Sequence, residues 1–201
     1  MFHWTEPYRT GQKTSPTQFF AAYAAYYGMD ENADELNLAG LDENEAPAAP
    51  RTPLRGYASM TGTRRNLAAL DQAGWRVLLS PAGSLDPRGR RYSLDNGAWS
   101  AFQQGTAFDA DAFLKAVDKV GEHADWIVLP DIVMGGQASL DLSLTWLNKL
   151  AGLPTRLLIA VQNGIDVDDV RQYLNPSVGL FVGGDTEWKE RTTPLWGSLA
   201  R

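Results

Sequence analysis

The sequence predicts an α/β fold in which parallel strands, forming a sheet or a (β/α) barrel, alternate with helices. Short apolar runs recur along the chain, and each one ends in a carboxylate, an amide or a pair of glycines. Helical sequence separates each run from the next, as expected when parallel strands are buried on both faces. The runs cover residues 92–94, 126–130, 157–161 and 180–182, and they precede Asp95, Asp131, Gln162 and Gly183.

The first 55 residues are predicted to form an N-terminal arm, an aromatic helix and an acidic linker. Residues 1–16 have no regular pattern, and residues 17–27 predict an aromatic-rich helix that ends at Gly28. Residues 30–55 are expected to be a linker, because their first part is rich in acids and contains no base.

The (β/α) domain is predicted to span residues 56–201. It begins at residues 56–60, and a strand is predicted over 75–79. Asp109 opens a helix whose apolar residues, including Phe113, Leu114 and Val117, recur at helical spacing and are therefore expected in the core. The predicted helices run from Arg64 to Gly74, from Asp109 onward, over 139–150 and over 166–174.

Composition restricts the chemistry that this chain can perform. At 201 residues it is long enough for one domain whose core needs no disulfide or metal. It contains no cysteine, and its only histidines are His3 and His123, neither of which follows an apolar run. We therefore expect no metal site and no cofactor, with carboxylates performing any acid–base chemistry. The sequence shows no leader and no membrane-spanning run, which predicts a cytoplasmic protein without a membrane partner.

Charge is distributed unevenly, although the net charge is only −6. Between residues 51 and 91, eight arginines face two aspartates. The simple interpretation is an arginine-rich surface beside a solvated acidic linker. The functional hypothesis is an arginine face next to the pocket, because guanidinium groups bind phosphates in bidentate fashion. The predicted phosphate contacts are Arg64, Arg65, Arg88, Arg90 and Arg91.

Polar residues that follow parallel strands are expected to gather at one rim of the sheet. Ligand sites of parallel α/β folds lie at the carboxyl ends of the strands. A single Asp after a strand is more often a helix cap or a turn residue. Four polar groups in register, at Asp95, Asp131, Gln162 and the pair Gly183 and Gly184, favour one pocket over four unrelated turns.

Four segments, taken in order, resemble a known enzyme family. They are residues 94–99 (LDNGAW), 129–131 (LPD), 160–164 (AVQNG) and 181–189 (FVGGDTEWK). The ordered set resembles the catalytic barrel of the tRNA-guanine transglycosylases, and it is more similar to the phage and bacterial deazapurine transglycosylases that modify DNA. The resemblance spans residues 56–201. It implies a TIM-like (β/α) barrel that is shortened or incomplete, since eight strands typically need about 250 residues.

The resemblance implies cleavage of the N-glycosidic bond of a flipped-out nucleobase. Asp95 would be the catalytic carboxylate near that bond, with Asp131 or Asp185 as its partner. The family attacks the sugar with a further Asp beyond the Gly-Gly strand, and we expect this sequence, which ends at Arg201, to lack that region. A trimmed or split enzyme, a shortened barrel that uses an existing carboxylate, and a chain that only binds are all open. Water activated by a carboxylate would excise the base, whereas an incoming base would replace it.

The same resemblance assigns substrate binding. Asp131 would bind the ring N–H and the exocyclic amine of the base, while Gln162 and the glycine backbone would meet its carbonyl oxygen. Trp99 would stack on the base. The predicted substrate-binding residues are Asn96, Trp99, Gln162, Gly183, Gly184 and Asp185.

The expected partner is a nucleic acid, DNA more than tRNA, whose base is flipped into the pocket. Two other function classes stay open at this point. One is a nucleic-acid- or nucleotide-binding module without catalysis, and the other is a small-molecule glycoside hydrolase that uses two of the same carboxylates. The sequence predicts neither the recognised base nor an oligomeric state.

Overall fold

A computed structural model describes residues 55–199. The predicted arm, the predicted helix at 17–27 and the predicted linker, apart from Arg55, lie outside the described residues. Within 55–199, a single six-stranded parallel sheet alternates with helices, which confirms the predicted α/β class. No helix in this part of the chain is long and apolar enough to cross a bilayer.

Every strand of the sheet pairs in parallel with the next strand along the chain. Connections between neighbouring parallel strands are right-handed almost without exception, so an unbroken order keeps the connecting helices on one face. The strands are β1 (Tyr57–Ser59), β2 (Arg76–Leu79), β3 (Tyr92–Leu94), β4 (Trp126–Val128), β5 (Arg156–Val161) and β6 (Val178–Val182). The helices are α1 (Arg64–Gln72), α2 (Ala98–Gln103), α3 (Ala110–Val120), α4 (Gln137–Leu150), α5 (Val167–Arg171) and α6 (Thr186–Leu199).

Helix α3 shows how the sequence specifies these elements. The Asp109 Oδ1 accepts a hydrogen bond from the Ala112 N–H at 2.9 Å and so caps the first turn. Phe113 and Val117, one turn apart, are buried as predicted, while Leu114 is half-buried. An apolar stripe on one face is enough to attach such a helix to the sheet.

Two helices, α2 and α6, are absent from the sequence-based prediction, and helices α1, α4 and α5 differ from it at one end. Helix α1 ends at Gln72 rather than at Gly74. Helix α2 is not predicted, and it forms because Gly97 adopts φ of 83°, a left-handed conformation that turns the chain from the end of β3 into a helix. Helix α4 starts at Gln137 rather than at 139, directly after Gly136, which also has a positive φ. Helix α5 ends at Arg171 rather than at 174, because the chain tightens there into i+3 hydrogen bonds.

One face of the sheet forms the core with the helices. Val77, Leu94, Ile127 and Ile159, from four neighbouring strands, are completely buried. They belong to one apolar cluster with Phe113 of α3. Burial of each such side chain contributes roughly 1.5–3 kcal/mol, so this face holds the helices in place.

The sheet is curved, because aromatic rings of strands that are not neighbours meet across its other face. Tyr57 of β1 lies edge-on to Trp126 of β4, with ring centroids 4.9 Å apart. Three strand spacings of a flat sheet would separate β1 from β4 by about 14 Å. Trp126 is in turn 6.4 Å from Phe181 of β6. In the described part of the chain, β1 and β6 lie at the two ends of the strand order and do not pair with each other.

Candidate functional site

A cavity of about 700 Å³ lies at the carboxyl ends of the strands. Its walls come from the ends of the strands and the segments that follow them, and its size is that of small-molecule and cofactor sites. All eight residues for which the sequence predicts a catalytic or substrate-binding role line it. They are Asp95, Asn96, Trp99, Asp131, Gln162, Gly183, Gly184 and Asp185.

Asp95 continues β3 to the wall of the cavity. Its N–H donates to the Leu79 carbonyl of β2 at 2.8 Å, and its Oδ2 accepts from the Gly97 N–H at 3.0 Å. Burial raises the pKa of Asp95 above its ordinary value, against the opposing effect of hydrogen bonds from the backbone of Gly97 and Asn96. Within residues 55–199, Asp95 forms no ion pair.

Asn96 holds the second acid in position. It is buried, and its Nδ2 donates to the Leu129 carbonyl at 2.8 Å and to the Asp131 Oδ1 at 2.7 Å. Its Oδ1 accepts from the Ala98 N–H at 2.8 Å, at the start of α2. These bonds occupy both N–H groups of the amide, so Asn96 has no free donor to offer and instead fixes the position of Asp131.

Asp131 follows β4 and lines the same cavity as Asp95. Burial raises the pKa of Asp131, the hydrogen bond from Asn96 opposes that rise, and the negative charge of Asp95 adds to it. The nearby negative charge acts in the same direction as burial, because both disfavour the ionised form of Asp131. The cavity therefore offers one carboxyl group that holds a proton more readily than an ordinary aspartate.

Gln162 presents only one atom to a ligand. Its Nε2 donates to the Ile132 carbonyl at 2.9 Å and to the Ser139 Oγ at 2.6 Å, and the side chain is buried. Its Oε1 makes no hydrogen bond within the described residues. The expectation that Gln162 meets a carbonyl oxygen of the base requires an N–H group, and both of its N–H groups already have protein partners.

The glycine pair forms the wall above β6. The Gly183 N–H donates to the Val161 carbonyl at 2.8 Å, so the sheet already uses it. Gly184 has φ of 80°, and a Cβ there would lie 2.6 Å from the Asn163 Oδ1 and 2.9 Å from the Trp188 ring. Only glycine suits position 184, both in conformation and in space. The close contacts that require glycine here are with Asn163 and Trp188, and both glycines line the cavity.

Asp185 has a structural role that the sequence analysis does not assign to it. Its Oδ1 accepts from the Trp188 N–H at 2.8 Å and caps α6, and its Oδ2 accepts from the Asn163 Nδ2 at 2.6 Å. The backbone bond from Trp188 and the side-chain bond from Asn163 lower the pKa of Asp185. An acid so engaged is less suited than Asp131 to be the proton-transfer partner of Asp95.

Trp99 is the aromatic surface of the site. It lies on α2, is 56% exposed, and stacks on Phe102 with ring centroids 5.7 Å apart and planes 27° from parallel. An exposed indole beside a cavity is available to stack on a planar ligand.

Three further residues of the cavity wall escape the sequence analysis. Lys189 is half-buried, and its ammonium forms no ion pair within residues 55–199. The Ser80 Oγ is buried without a hydrogen-bond partner in the described part of the chain. Met134 is 79% exposed with φ of 59°. The position of Lys189 could have been predicted from the sequence, since it follows Asp185 by one helical turn. Nothing in the neighbouring sequence distinguishes Ser80 or Met134 as a residue of the cavity wall.

The five arginines predicted to contact phosphates lie outside the cavity wall, and they separate into two groups. Arg64 and Arg65 are exposed in the first turn of α1, which starts at the carboxyl end of the sheet. Arg88 is exposed near them, since its Nη1 donates to the Gly62 carbonyl at 3.4 Å. These three remain available to a ligand on that side.

Arg90 and Arg91 are engaged elsewhere, which differs from the expected arginine face at the pocket. Arg90 binds Asp71 with two hydrogen bonds, of 2.7 and 2.6 Å. Arg91 precedes β3 and pairs with Asp125, which precedes β4, so this pair lies at the amino ends of the strands. Arg91 is close to Asp95 in sequence, but strand β3 lies between the two residues. Arg91 is therefore at the opposite end of the sheet from the cavity.

Comparison of the chain with protein-family models, with curated proteins and with solved structures finds no match. In residues 55–199, no group of three His, Asp or Glu side chains is placed to hold a metal ion. The chemistry offered by the described cavity is that of two acids with raised pKa, an amide oxygen, an aromatic face and one lysine.

Proposed function

We propose that this protein cleaves the N-glycosidic bond of a nucleobase in a polynucleotide, with DNA preferred over tRNA. The observation that carries the proposal is the pair Asp95 and Asp131. These are two half-buried acids with raised pKa, connected through Asn96, in the wall of a cavity that also presents Trp99. Perturbed acids in a pocket are typical of catalytic sites.

Two acids supply the proton transfers that this reaction needs. The bond between the sugar C1′ and the base nitrogen breaks, and the base leaves with the electron pair and takes a proton from a carboxylic acid. Asp131 is the acid, because burial and the charge of Asp95 raise its pKa. A water molecule attacks C1′ and gives a proton to Asp95, as in inverting glycoside hydrolysis. In the exchange reaction, an incoming base takes the place of water.

The fold supports a barrel-type site. A doubly wound sheet reverses its strand order, whereas here six strands follow one another and the helices share one face. The contacts from Tyr57 through Trp126 to Phe181 curve the sheet in the direction of closure. We propose a TIM-like (β/α) arrangement on these grounds, with further strands needed between β6 and β1.

A polynucleotide substrate is supported by the cations at the carboxyl end of the sheet. Lys189 is in the cavity wall, and Arg64, Arg65 and Arg88 are exposed on the same side. Cations of this kind bind phosphates and position the strand without reading its sequence.

Base release from defined oligonucleotides and from tRNA tests the proposal. We expect free base and an abasic site, detected by chromatography and by alkaline strand cleavage, from the wild-type protein but not from Asp131→Asn. Incorporation of a labelled free base would identify exchange. Binding without release would leave a binding module, and release only from small glycosides would identify a sugar hydrolase.

A further inference from the structure

Gln162 is fixed in one orientation by two partners that lie far from it in sequence. The Ile132 carbonyl can only accept a hydrogen bond, so the atom 2.9 Å from it must be the amide nitrogen. The second N–H of that nitrogen points to the Ser139 Oγ at 2.6 Å. Ser139 is completely buried and also accepts from the Ile132 N–H at 3.1 Å, which holds the hydroxyl in place.

The consequence is a cavity wall that accepts hydrogen bonds at this position. Gln162 lines the cavity, both of its N–H groups are occupied, and its Oε1 has no partner within the described residues. A carbonyl oxygen placed opposite would face another oxygen, with no hydrogen between them. Rotation of the Gln162 amide would turn its oxygen toward the Ile132 carbonyl. Gln162 therefore cannot present an N–H group to a ligand without losing its hydrogen bond to Ile132.

We infer that the ligand group facing Gln162 is a hydrogen-bond donor, an exocyclic amino group in place of a carbonyl oxygen. This inference rests on the proposed function and names its substrate class, which is a nucleobase with an amino group beside a ring nitrogen. Adenine and cytosine present that edge, whereas hypoxanthine and uracil present a carbonyl next to an N–H. The role differs from the one that the family resemblance implies for Gln162.

Asp131 complements such an edge. A protonated carboxyl group both donates and accepts, so it can donate to the ring nitrogen while Gln162 accepts from the amino group. The raised pKa of Asp131 supports this pairing.

Matched base pairs in one oligonucleotide sequence test the inference. Each oligonucleotide carries one test base, either adenine or hypoxanthine, or cytosine or uracil, and kcat/KM for base release is measured in competition. We expect the amino member of at least one pair to be preferred at least tenfold, the ratio that about 1.4 kcal/mol produces. Equal rates, or preference for the oxo member in both pairs, would overturn the inference.

Two buried serines of α4 provide a variant and its control. Ser139→Ala frees one N–H of Gln162, so the preference for the amino base should fall severalfold toward equality. Ser143 is also completely buried one turn away, but its Oγ donates to the Pro130 carbonyl at 2.9 Å. Ser143→Ala should therefore leave the preference unchanged, and an equal fall in both variants would contradict the role of Ser139.

Absence of base release from all four oligonucleotides would disprove the proposed function and not, by itself, the role of Gln162. Equilibrium binding of the same oligonucleotides would then decide the inference by the same ratios. Failure to bind any of them would overturn both.

Discussion

The two ends of the sheet hold aspartates in opposite electrostatic settings. At the amino ends, Asp125 accepts hydrogen bonds from the Tyr57 hydroxyl at 2.9 Å, from Arg76 at 2.5 Å and from Arg91. Burial alone would raise the pKa of Asp125, but these three bonds and the charge of Arg76 lower it below the ordinary value.

At the carboxyl ends, burial dominates. Asp95 and Asp131 form no ion pair within residues 55–199, and the pKa of each is raised. The difference teaches that an ionised aspartate stabilises the fold at the amino ends of the strands, whereas ionisation of an aspartate at the carboxyl ends lowers the stability of the fold. A cost of this kind is typical of functional sites, where charge is arranged for chemistry and not for stability.

Removal of one charge from the carboxyl-end pair should give the largest effect on activity. Asp95→Asn is expected to lower the rate of base release by about 10³-fold, because general acid–base catalysis contributes about 10²- to 10⁴-fold. The free energy of unfolding near neutral pH should stay the same or rise, since a neutral amide avoids the burial of a charge. Rates and urea unfolding curves measured together check this. Near wild-type base release would show that Asp95 is not catalytic.

The amino-end cluster should show the reverse behaviour. Asp125→Ala leaves Arg76, whose side chain is only 16% exposed, without its ion-pair partner, so that only Tyr57 still accepts from it among these groups. We expect the free energy of unfolding to fall by about 3 kcal/mol, as when one member of a largely buried ion pair is removed. Asp168→Ala is the control, because the Asp168–Arg171 pair is exposed and should contribute little. Equal losses in the two variants would remove the distinction between buried and exposed pairs.

The pH dependence of stability should have opposite signs at the two ends. The raised pKa of Asp95 means that its ionisation costs stability as pH rises above 3.8, the ordinary value, so Asp95→Asn should gain stability relative to wild type with rising pH. The lowered pKa of Asp125 means that its contribution is present above 3.8 and is lost as pH falls through the folded-state pKa. The deficit of Asp125→Asn should therefore shrink in acid. Urea unfolding from about pH 3 to about pH 8 measures both trends, and parallel curves would contradict them.

The arginines should give the smallest effect, and the two ends should again differ. Arg88 is exposed on the cavity side, so Arg88→Ala should reduce the slope of log K against log[salt] for duplex DNA by about 0.9 if it contacts one phosphate. Arg91→Ala should leave the slope unchanged, because Arg91 pairs with Asp125 at the opposite end. Oligonucleotide binding at several salt concentrations separates the two variants. A larger change in slope for Arg91→Ala than for Arg88→Ala would indicate that the nucleic acid binds at the amino ends of the strands, which would contradict the prediction.

Local sequence patterns were sufficient to predict the parallel strands of this molecule and the residues that follow them. The apolar runs specify the parallel strands, and the residues after them, including Asp95, Asp131 and Gln162, lie around one cavity as predicted. The reason is that the period of a buried strand and its direction in a parallel sheet are both encoded in neighbouring residues. Helix α2 was not predicted from the sequence, because its start depends on the left-handed backbone at Gly97 and not on a run of apolar residues.

What the sequence by itself determined is therefore which residues reach the carboxyl end of the sheet. Only the tertiary structure decided what each of them does there, because their partners are distant in the chain. Asn96 meets Asp131 across 35 positions, Gln162 meets Ser139 across 23, and Arg91 meets Asp125 across 34. A side chain's role follows from which donors and acceptors are already occupied, and segments that are distant in sequence but close in space supply those partners without leaving a local signal in the sequence.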